Sequence, residues 1–265
     1  MGFLLMKQEV DCWFRSGSAR GLVELNLFCF PYAGGTAMVY RDWSARLPPS
    51  VRVMAVEMPG RGNRLKEPPF TSMSTLVAAL AEVIKPLLDV PFVFFGHSMG
   101  AIIAFELAKR LRSDRNCEPR LLVVSGRRAP QIPDSKPIKY DLPKEEFMEE
   151  LRRIDGTPKE VLEHAELMEL MLPLLRADFQ LIRTYQYTAD TRLRCPISAY
   201  GGLEDDEETR ELMLPWREQT NSAFVLRMVP GAHFFLRSSQ SHLLGSLARE
   251  LDDLTRGSGE TSATA

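Results

Sequence analysis

The stretch Phe92-Val93-Phe94-Phe95-Gly96-His97-Ser98-Met99-Gly100, continuing into AIIAFELAKRL, constrains the fold more than any other part of the chain. An aromatic and β-branched run passes through G-x-S-x-G into a helical pattern, which is the strand–turn–helix setting of a nucleophile elbow. Roughly 0.07 matches to G-x-S-x-G arise by chance in a chain of this composition, so the context carries the reading more than the pattern. So sharp a turn forces Ser98 into strained backbone angles. A side chain at Gly96 or Gly100 would collide with the crossing strand or helix. Ser98 Oγ is then expected at the carboxyl edge of a sheet, above a helix N-terminus that favours developing negative charge.

Five more short apolar runs read as strands: Glu24–Phe30, Val51–Glu57, Leu121–Ser125, Pro196–Tyr200 and Phe224–Val229. Most are nearly continuous rather than alternating, as in strands covered on both faces. Between them, Ser74–Leu88 aligns Leu76, Leu80, Ile84 and Leu87/Leu88, and Met99–Leu111 aligns Ile102, Ile103, Phe105, Leu107 and Leu111. A last helix over Ser241–Leu254 carries Leu243, Leu244, Leu247 and Leu251. This alternation predicts an α/β fold with a mostly parallel central sheet flanked by helices.

One interval breaks the rhythm. Between Arg127 and Arg194 the chain runs far beyond the usual ~2–6-residue connections plus one helix. The expected division is therefore a core of residues 1–126 and 195–256, a helical lid inserted at 127–194, and a disordered tail at 257–265, where GSGETSATA is small and polar. Within the lid, one helix is expected over Lys144–Arg153. A second starts at the capping box Thr157-Pro158-Lys159-Glu160 and runs to Pro173, which interrupts it. A third spans Leu174–Tyr185.

A serine nucleophile needs a base, and the chain has four histidines. His97 lies inside the elbow and should point away from the nucleophile's side. His164 in the lid and His242 at the start of the last helix suit surface or capping roles. His233, in Val229-Pro230-Gly231-Ala232-His233-Phe234-Phe235, follows the last strand, and post-strand loops share one sheet edge with the elbow. The loop Tyr200-Gly201-Gly202-Leu203-Glu204-Asp205-Asp206-Glu207 follows the penultimate strand and supplies acids to orient the imidazole. Asp205 is the choice, with Asp206 the alternative and Glu204 and Glu207 behind them. The order Ser98, Asp205, His233 is that of the α/β-hydrolases. The oxyanion hole would draw on the backbone N–H of Met99 and of Ala33 in Phe30-Pro31-Tyr32-Ala33-Gly34-Gly35, with Tyr32 as the alternative.

Composition adds exclusions. The 265 residues are 45% hydrophobic and 26% charged, with formal net charge −2. That balance removes collagen-like, disordered and disulfide-scaffold classes and gives nucleic acid no basic surface of its own accord. Cys12, Cys29, Cys117 and Cys195 form no CxxC pair, so no metal knuckle or redox motif is expected. GFLLM offers five apolar residues before charged KQEVD, short of the roughly 7–15 of a signal core or the ~20 of a membrane helix. A cytoplasmic protein without membrane attachment is expected.

With these residues in view, the sequence resembles the type II thioesterases of the α/β-hydrolase superfamily, which accompany polyketide synthases and nonribosomal peptide synthetases. The resemblance spans nearly the whole chain. It rests on FCFPYAGG (Phe28–Gly35), MPGRGNR (Met58–Arg64), PFVFFGHSMG (Pro91–Gly100), the GGLED loop (Gly201–Asp205), Pro215-Trp216-Arg217 and PGAHFFL (Pro230–Leu236). It implies hydrolysis of acyl groups from the phosphopantetheine arm of acyl or peptidyl carrier protein domains, with no metal and no cofactor beyond the arm on the substrate. It also places the triad acid a few residues after the loop glycines, at Asp205. A carboxylesterase or acyltransferase of the same fold is the alternative. A monomer is expected. Met148, Met168, Met171 and Phe179 are expected to line an acyl channel. Arg110, Arg112, Arg115, Arg127, Arg128, Lys136 and Lys139 are candidates for docking an acidic carrier.

Overall fold

The computed structural model describes residues 10–17, 20–134, 139–153 and 164–260, the last four as backbone alone. Seven strands form one sheet: β1 (Phe14–Ser16), β2 (Leu25–Phe30), β3 (Val51–Val56), β4 (Phe92–His97), β5 (Leu121–Ser125), β6 (Ile197–Gly202) and β7 (Phe224–Val229), in the order β1-β3-β2-β4-β5-β6-β7. All neighbours pair in parallel except the edge pair β1–β3. Strand β1 was not among the expected strands; three residues carry too little periodicity to register.

Side chains on successive residues leave a strand on opposite faces, and both faces here are covered. Phe28, Phe30, Phe92 and Phe94 enter one core with helices α1 (Met73–Val83) and α2 (Met99–Arg115). Leu27, Cys29, Val93 and Phe95 enter the other, against Tyr40, Trp43 and the leucines of the last long helix, α5 (Gln240–Glu260). Helix α1 stops short of the expected Leu88 because Pro86 converts the continuation into a 3-10 turn, Lys85–Leu87. Helix α5 continues to Glu260, past the start of the tail expected to lack order.

Among the described residues, two helices lie between β5 and β6. Helix α3 (Lys144–Arg153) has the expected bounds. Helix α4 (Ala165–Thr184) corrects the reading of Pro173, which lies within 20 continuous helical residues. Proline deletes the bond to the carbonyl four residues earlier, but Pro173 is exposed while Leu172, Leu174, Leu175, Ala177, Asp178 and Phe179 are buried. The defect faces water, and packing of the opposite face keeps the axis. The capping box at Thr157–Glu160 falls outside the described residues; α4 is capped by His164, whose Nδ1 accepts the Leu167 N–H at 3.3 Å.

The crossover from β3 to β4 passes over β2, so β2 and β4 are adjacent while their connections leave in opposite directions. Such a switch point opens a crevice at the carboxyl ends of the strands. The loop after β2 and the elbow after β4 both emerge there.

Candidate active site

Ser98 has φ 54° and ψ −115°, and is one of two described non-glycine residues with positive φ. The glycines around it hold the strain. A Cβ on Gly96 would lie 2.1 Å from the Gly100 carbonyl oxygen, and one on Gly100 would lie 2.0 Å from the Phe30 carbonyl oxygen. The start of helix α2 can lie this close to β4 on one side and to the end of β2 on the other only because both positions lack a side chain.

The loops after β6 and β7 are sewn to each other by Leu203 N–H donating to Val229 O at 2.8 Å and Glu204 N–H donating to Gly231 O at 3.0 Å. That closure brings the acid loop against His233. His233 Nδ1 lies 2.8 Å from Asp205 Oδ2, and His233 Nε2 lies 3.1 Å from Ser98 Oγ. The other carboxylate oxygen, Asp205 Oδ1, accepts the N–H groups of Glu207 at 3.1 Å and Glu208 at 3.0 Å. Burial opposes the charged form of Asp205, but the His233 hydrogen bond and charge and the two amides outweigh it and hold the carboxyl below its ordinary 3.8. Asp206 and Glu204 are exposed, and Glu207 pairs with Arg153 at 2.6 Å. Of the four candidate acids, the structure brings only Asp205 to His233.

His97 is fully buried, with Nδ1 2.9 Å from Ser125 Oγ and its ring 5.3 Å from that of His233. Burial first, then the charge of His233, hold His97 well below the ordinary histidine range, which favours its neutral form.

The turn after β2 closes with Gly35 N–H donating to Tyr32 O at 2.8 Å. Gly34 N–H donates to Asp178 Oδ2 at 2.7 Å. With those two amides engaged, Tyr32 and Ala33 are the residues of this turn that can face a reacting oxygen, and both line the cavity above Ser98. Met99 begins α2, where the first amides of a helix have no intrahelical acceptor.

The cavity measures about 1080 Å³. Its wall combines Ser98 and His233 with apolar Ile102, Ala129, Leu151, Leu175, Phe179 and Ile182. Phe179 lines it as expected, but Met148 and Met168 lie behind the wall, in one cluster with Phe147, Leu172 and the wall residues Leu151, Leu175 and Phe179, and Met171 lies against that cluster. The methionines fill the contact between α3 and α4 rather than the channel. Four of the seven residues of the expected basic patch are paired within the chain. Arg110 pairs with Asp114, Arg112 with Asp190, and both Arg127 and Arg128 with Glu208. Lys136 lies outside the described residues.

Three contributors escaped the sequence reading: Glu208, which ties the acid loop to Arg127 and Arg128, and the pair Arg61 and Asp178. Arg61 stands in the quoted MPGRGNR motif, but nothing local marks Asp178 as its partner. Among the described residues, no group of three or more His, Cys, Asp or Glu side chains is placed to hold a metal ion, and no helix is long and apolar enough to cross a membrane.

A family model described as a thioesterase domain matches residues 25–254. The gramicidin S biosynthesis protein GrsT of Aneurinibacillus migulanus is 44% identical over 243 residues, covering 92% of this chain and 95% of the relative. Among solved structures, the type II thioesterase BorB from the borrelidin biosynthetic cluster is 36% identical with a TM-score of 0.83, covering 91% of this chain and 98% of that one. The RedJ thioesterase of the prodiginine pathway in Streptomyces coelicolor is 37% identical with a TM-score of 0.81, covering 86% of each chain. On the family match, the sequence identity and the shared fold together, the chain belongs to the thioesterase family, thioester hydrolases built on the α/β-hydrolase fold.

Proposed function

We propose that the protein is a type II, editing thioesterase that releases acyl groups from the phosphopantetheine arm of acyl or peptidyl carrier protein domains. The observation that carries this reading is the hydrogen-bonded chain from Asp205 through His233 to Ser98, opening into a cavity large enough for an acyl chain and the end of the arm. GrsT, by its name, serves gramicidin S biosynthesis, BorB is a type II thioesterase from the borrelidin biosynthetic cluster and RedJ a thioesterase from the prodiginine biosynthetic pathway, which supports the same role here.

In this mechanism His233 Nε2 takes the proton of Ser98 Oγ as the oxygen attacks the thioester carbonyl. Asp205 fixes the tautomer in which Nδ1 carries hydrogen and Nε2 accepts, and it stabilises the imidazolium that forms. The N–H groups of Ala33 and Met99 receive the developing oxyanion. Collapse breaks the C–S bond and the pantetheine sulfur takes the proton from His233 Nε2, leaving as the thiol and returning His233 to its neutral form; a thiol of pKa ~8.5 needs little help from the acid. Water deprotonated by His233 then attacks the acyl-serine, and collapse returns the proton to Ser98 and frees the carboxylic acid. These steps call on no metal and no redox cofactor.

Residues 127–194 form a lid whose helices α3 and α4 roof the acyl cavity. The protein works in the cytoplasm as a monomer, its partner a carrier domain rather than nucleic acid or membrane. The test compares hydrolysis of acyl-pantetheine thioesters with matched oxygen esters, and of free with carrier-bound acyl groups. Preference for the carrier-bound thioester is expected. Faster cleavage of the oxygen ester, or no turnover of either, overturns the reading.

A further inference from the structure

The cavity roof and the oxyanion turn meet at a buried ion pair. Arg61 Nη2 lies 2.7 Å from Asp178 Oδ1, and both side chains are 2% exposed. The second oxygen of Asp178 accepts the Gly34 N–H at 2.7 Å. The second arm of the Arg61 fork donates to the Gly35 carbonyl at 3.0 Å. The turn from Tyr32 to Gly35 is thus gripped from outside its own strand at two peptide units, Ala33–Gly34 and Gly35–Thr36. One grip comes from the loop after β3 and the other from α4, whose Asp178 lies 144 residues from Gly34 in sequence. Gly34 itself has φ +75°, and a Cβ there would lie 2.6 Å from Leu175 Cδ2, one turn before Asp178 on the same helix. Helix α4 therefore contacts the turn by packing and by hydrogen bond at once.

An ion pair this deep is expensive in desolvation and is a weak stabiliser by itself. Its geometry serves something narrower: the two further hydrogen bonds that the pair makes both go to the turn that carries Ala33, while Arg61 Nε is buried without a partner among the described residues. We propose that Asp178 and Arg61 are positioning residues for thiolester cleavage, holding the Ala33 amide in register with Ser98 only while α4 is seated over the cavity. This rests on the reading of Ala33 as an oxyanion donor. Asp178 keeps the Gly34 N–H turned toward the helix, which fixes the Ala33–Gly34 peptide plane and so restrains Ala33, a residue of the cavity wall, from its carboxyl side. Helix α4, whose Leu175, Phe179 and Ile182 line the acyl chamber, is then mechanically tied to the group that stabilises the transition state. An acyl chain that fits beneath α4 keeps the donor set, and one that lifts the helix withdraws the acceptor that orients it.

The test removes both charges together, so that no lone ion is left buried. The double variant Arg61→Met/Asp178→Leu is expected to stay folded, with a Tm within a few degrees of the parent. Its kcat should fall about 10- to 100-fold, below the ~10²–10³ of deleting an oxyanion donor outright, because the amide is misplaced rather than absent. KM should stay within about threefold. Affinity for an alkyl trifluoromethyl ketone, whose Ser98 adduct carries the oxyanion, should fall by the same factor as kcat. A folded double variant with parental kcat and ketone affinity overturns the proposal, as does a rise in KM with kcat unchanged. If the double variant does not fold, Arg61→Lys decides: it keeps the charge pair but loses the rigid fork that reaches Gly35. A kcat about fivefold down with KM unchanged supports the positioning role, and a parental kcat refutes it. A parent enzyme that neither turns over thioester nor binds the ketone marks failure of the underlying site reading instead.

Discussion

Exchanging Asp205 for Asn tests the proposed triad at its least obvious member, because the structure dictates which way the new amide must turn. Asp205 Oδ1 accepts two backbone N–H groups, from Glu207 and Glu208. In Asp205→Asn the carbamoyl oxygen must keep that position, since an NH₂ there would face two donors. The NH₂ therefore turns to the place of Oδ2, 2.8 Å from His233 Nδ1. It can only donate, so Nδ1 must accept and the ring proton moves to Nε2, where it points at Ser98 Oγ. The base is then blocked rather than merely weakened. The expected loss is about 10⁴-fold in kcat, or about 5.4 kcal/mol at 1.36 kcal/mol per decade. Asp206→Asn changes an exposed side chain with no contact to His233, and should stay within about twofold of the parent. The assay is steady-state hydrolysis of an acyl-pantetheine thioester, with the rate of Ser98 labelling by a fluorophosphonate as a second readout that falls in parallel. Equal losses in the two variants, or an Asp205→Asn enzyme within tenfold of the parent, would refute the assignment.

Three further outcomes follow from contacts elsewhere. Gly100→Ala drives a Cβ to 2.0 Å from the Phe30 carbonyl oxygen, a backbone atom that cannot rotate away; thermal denaturation should register a loss of about 3 kcal/mol or more, with activity abolished. Acid unfolding should carry the signature of Asp205. Its folded-state pKa lies below the ordinary 3.8, so its contribution to stability is present above that value and fades as pH falls through the depressed one. The Tm difference between parent and Asp205→Asn should therefore be largest above about pH 4 and shrink toward pH 2; a difference that grows on acidification contradicts the sign. Ile182→Trp fills the acyl chamber from α4 and should cut kcat/KM for an octanoyl thioester about tenfold or more while leaving the acetyl thioester within about threefold; equal effects on both chain lengths would remove Ile182 from the acyl path.

What was legible in the sequence shares one physical character: it is enforced by the local chain. The elbow at Gly96–Gly100 can be read because a strand entering a helix at that angle leaves no room for side chains. Strands β2 to β6 can be read because burial on both faces demands continuous apolar runs, and the edge strand β7, though only half-buried, keeps enough apolar residues to register. His233 and Asp205 follow from parallel topology, which sends every post-strand loop to the same edge. The errors arise where a distant partner overrules the local signal. Pro173 reads as a stop, yet one face of α4 is buried along Leu172–Phe179 and the missing hydrogen bond faces water. Met148 and Met168 read as an adaptable channel lining, yet the neighbouring helix claims them. Arg127 and Arg128 read as a free basic surface, yet Glu208, some eighty positions away, pairs with both, and Asp134 lies 3.7 Å from Arg128 as well.

Asp178 is the extreme of this second kind. In sequence it is an acid on an apolar helical stripe, between Ala177 and Phe179, where burial is costly and a solvated position would be the default. Its burial is tolerated because Arg61 and Gly34 meet it from two other parts of the chain, 117 and 144 positions away. No periodicity or motif encodes such a meeting; it exists only once the sheet has set the β2 and β3 loops side by side and α4 has closed over them. The same dependence gives the contact its proposed use. A group that can be paired only in the assembled roof reports, through the Gly34 amide, whether the roof is in place.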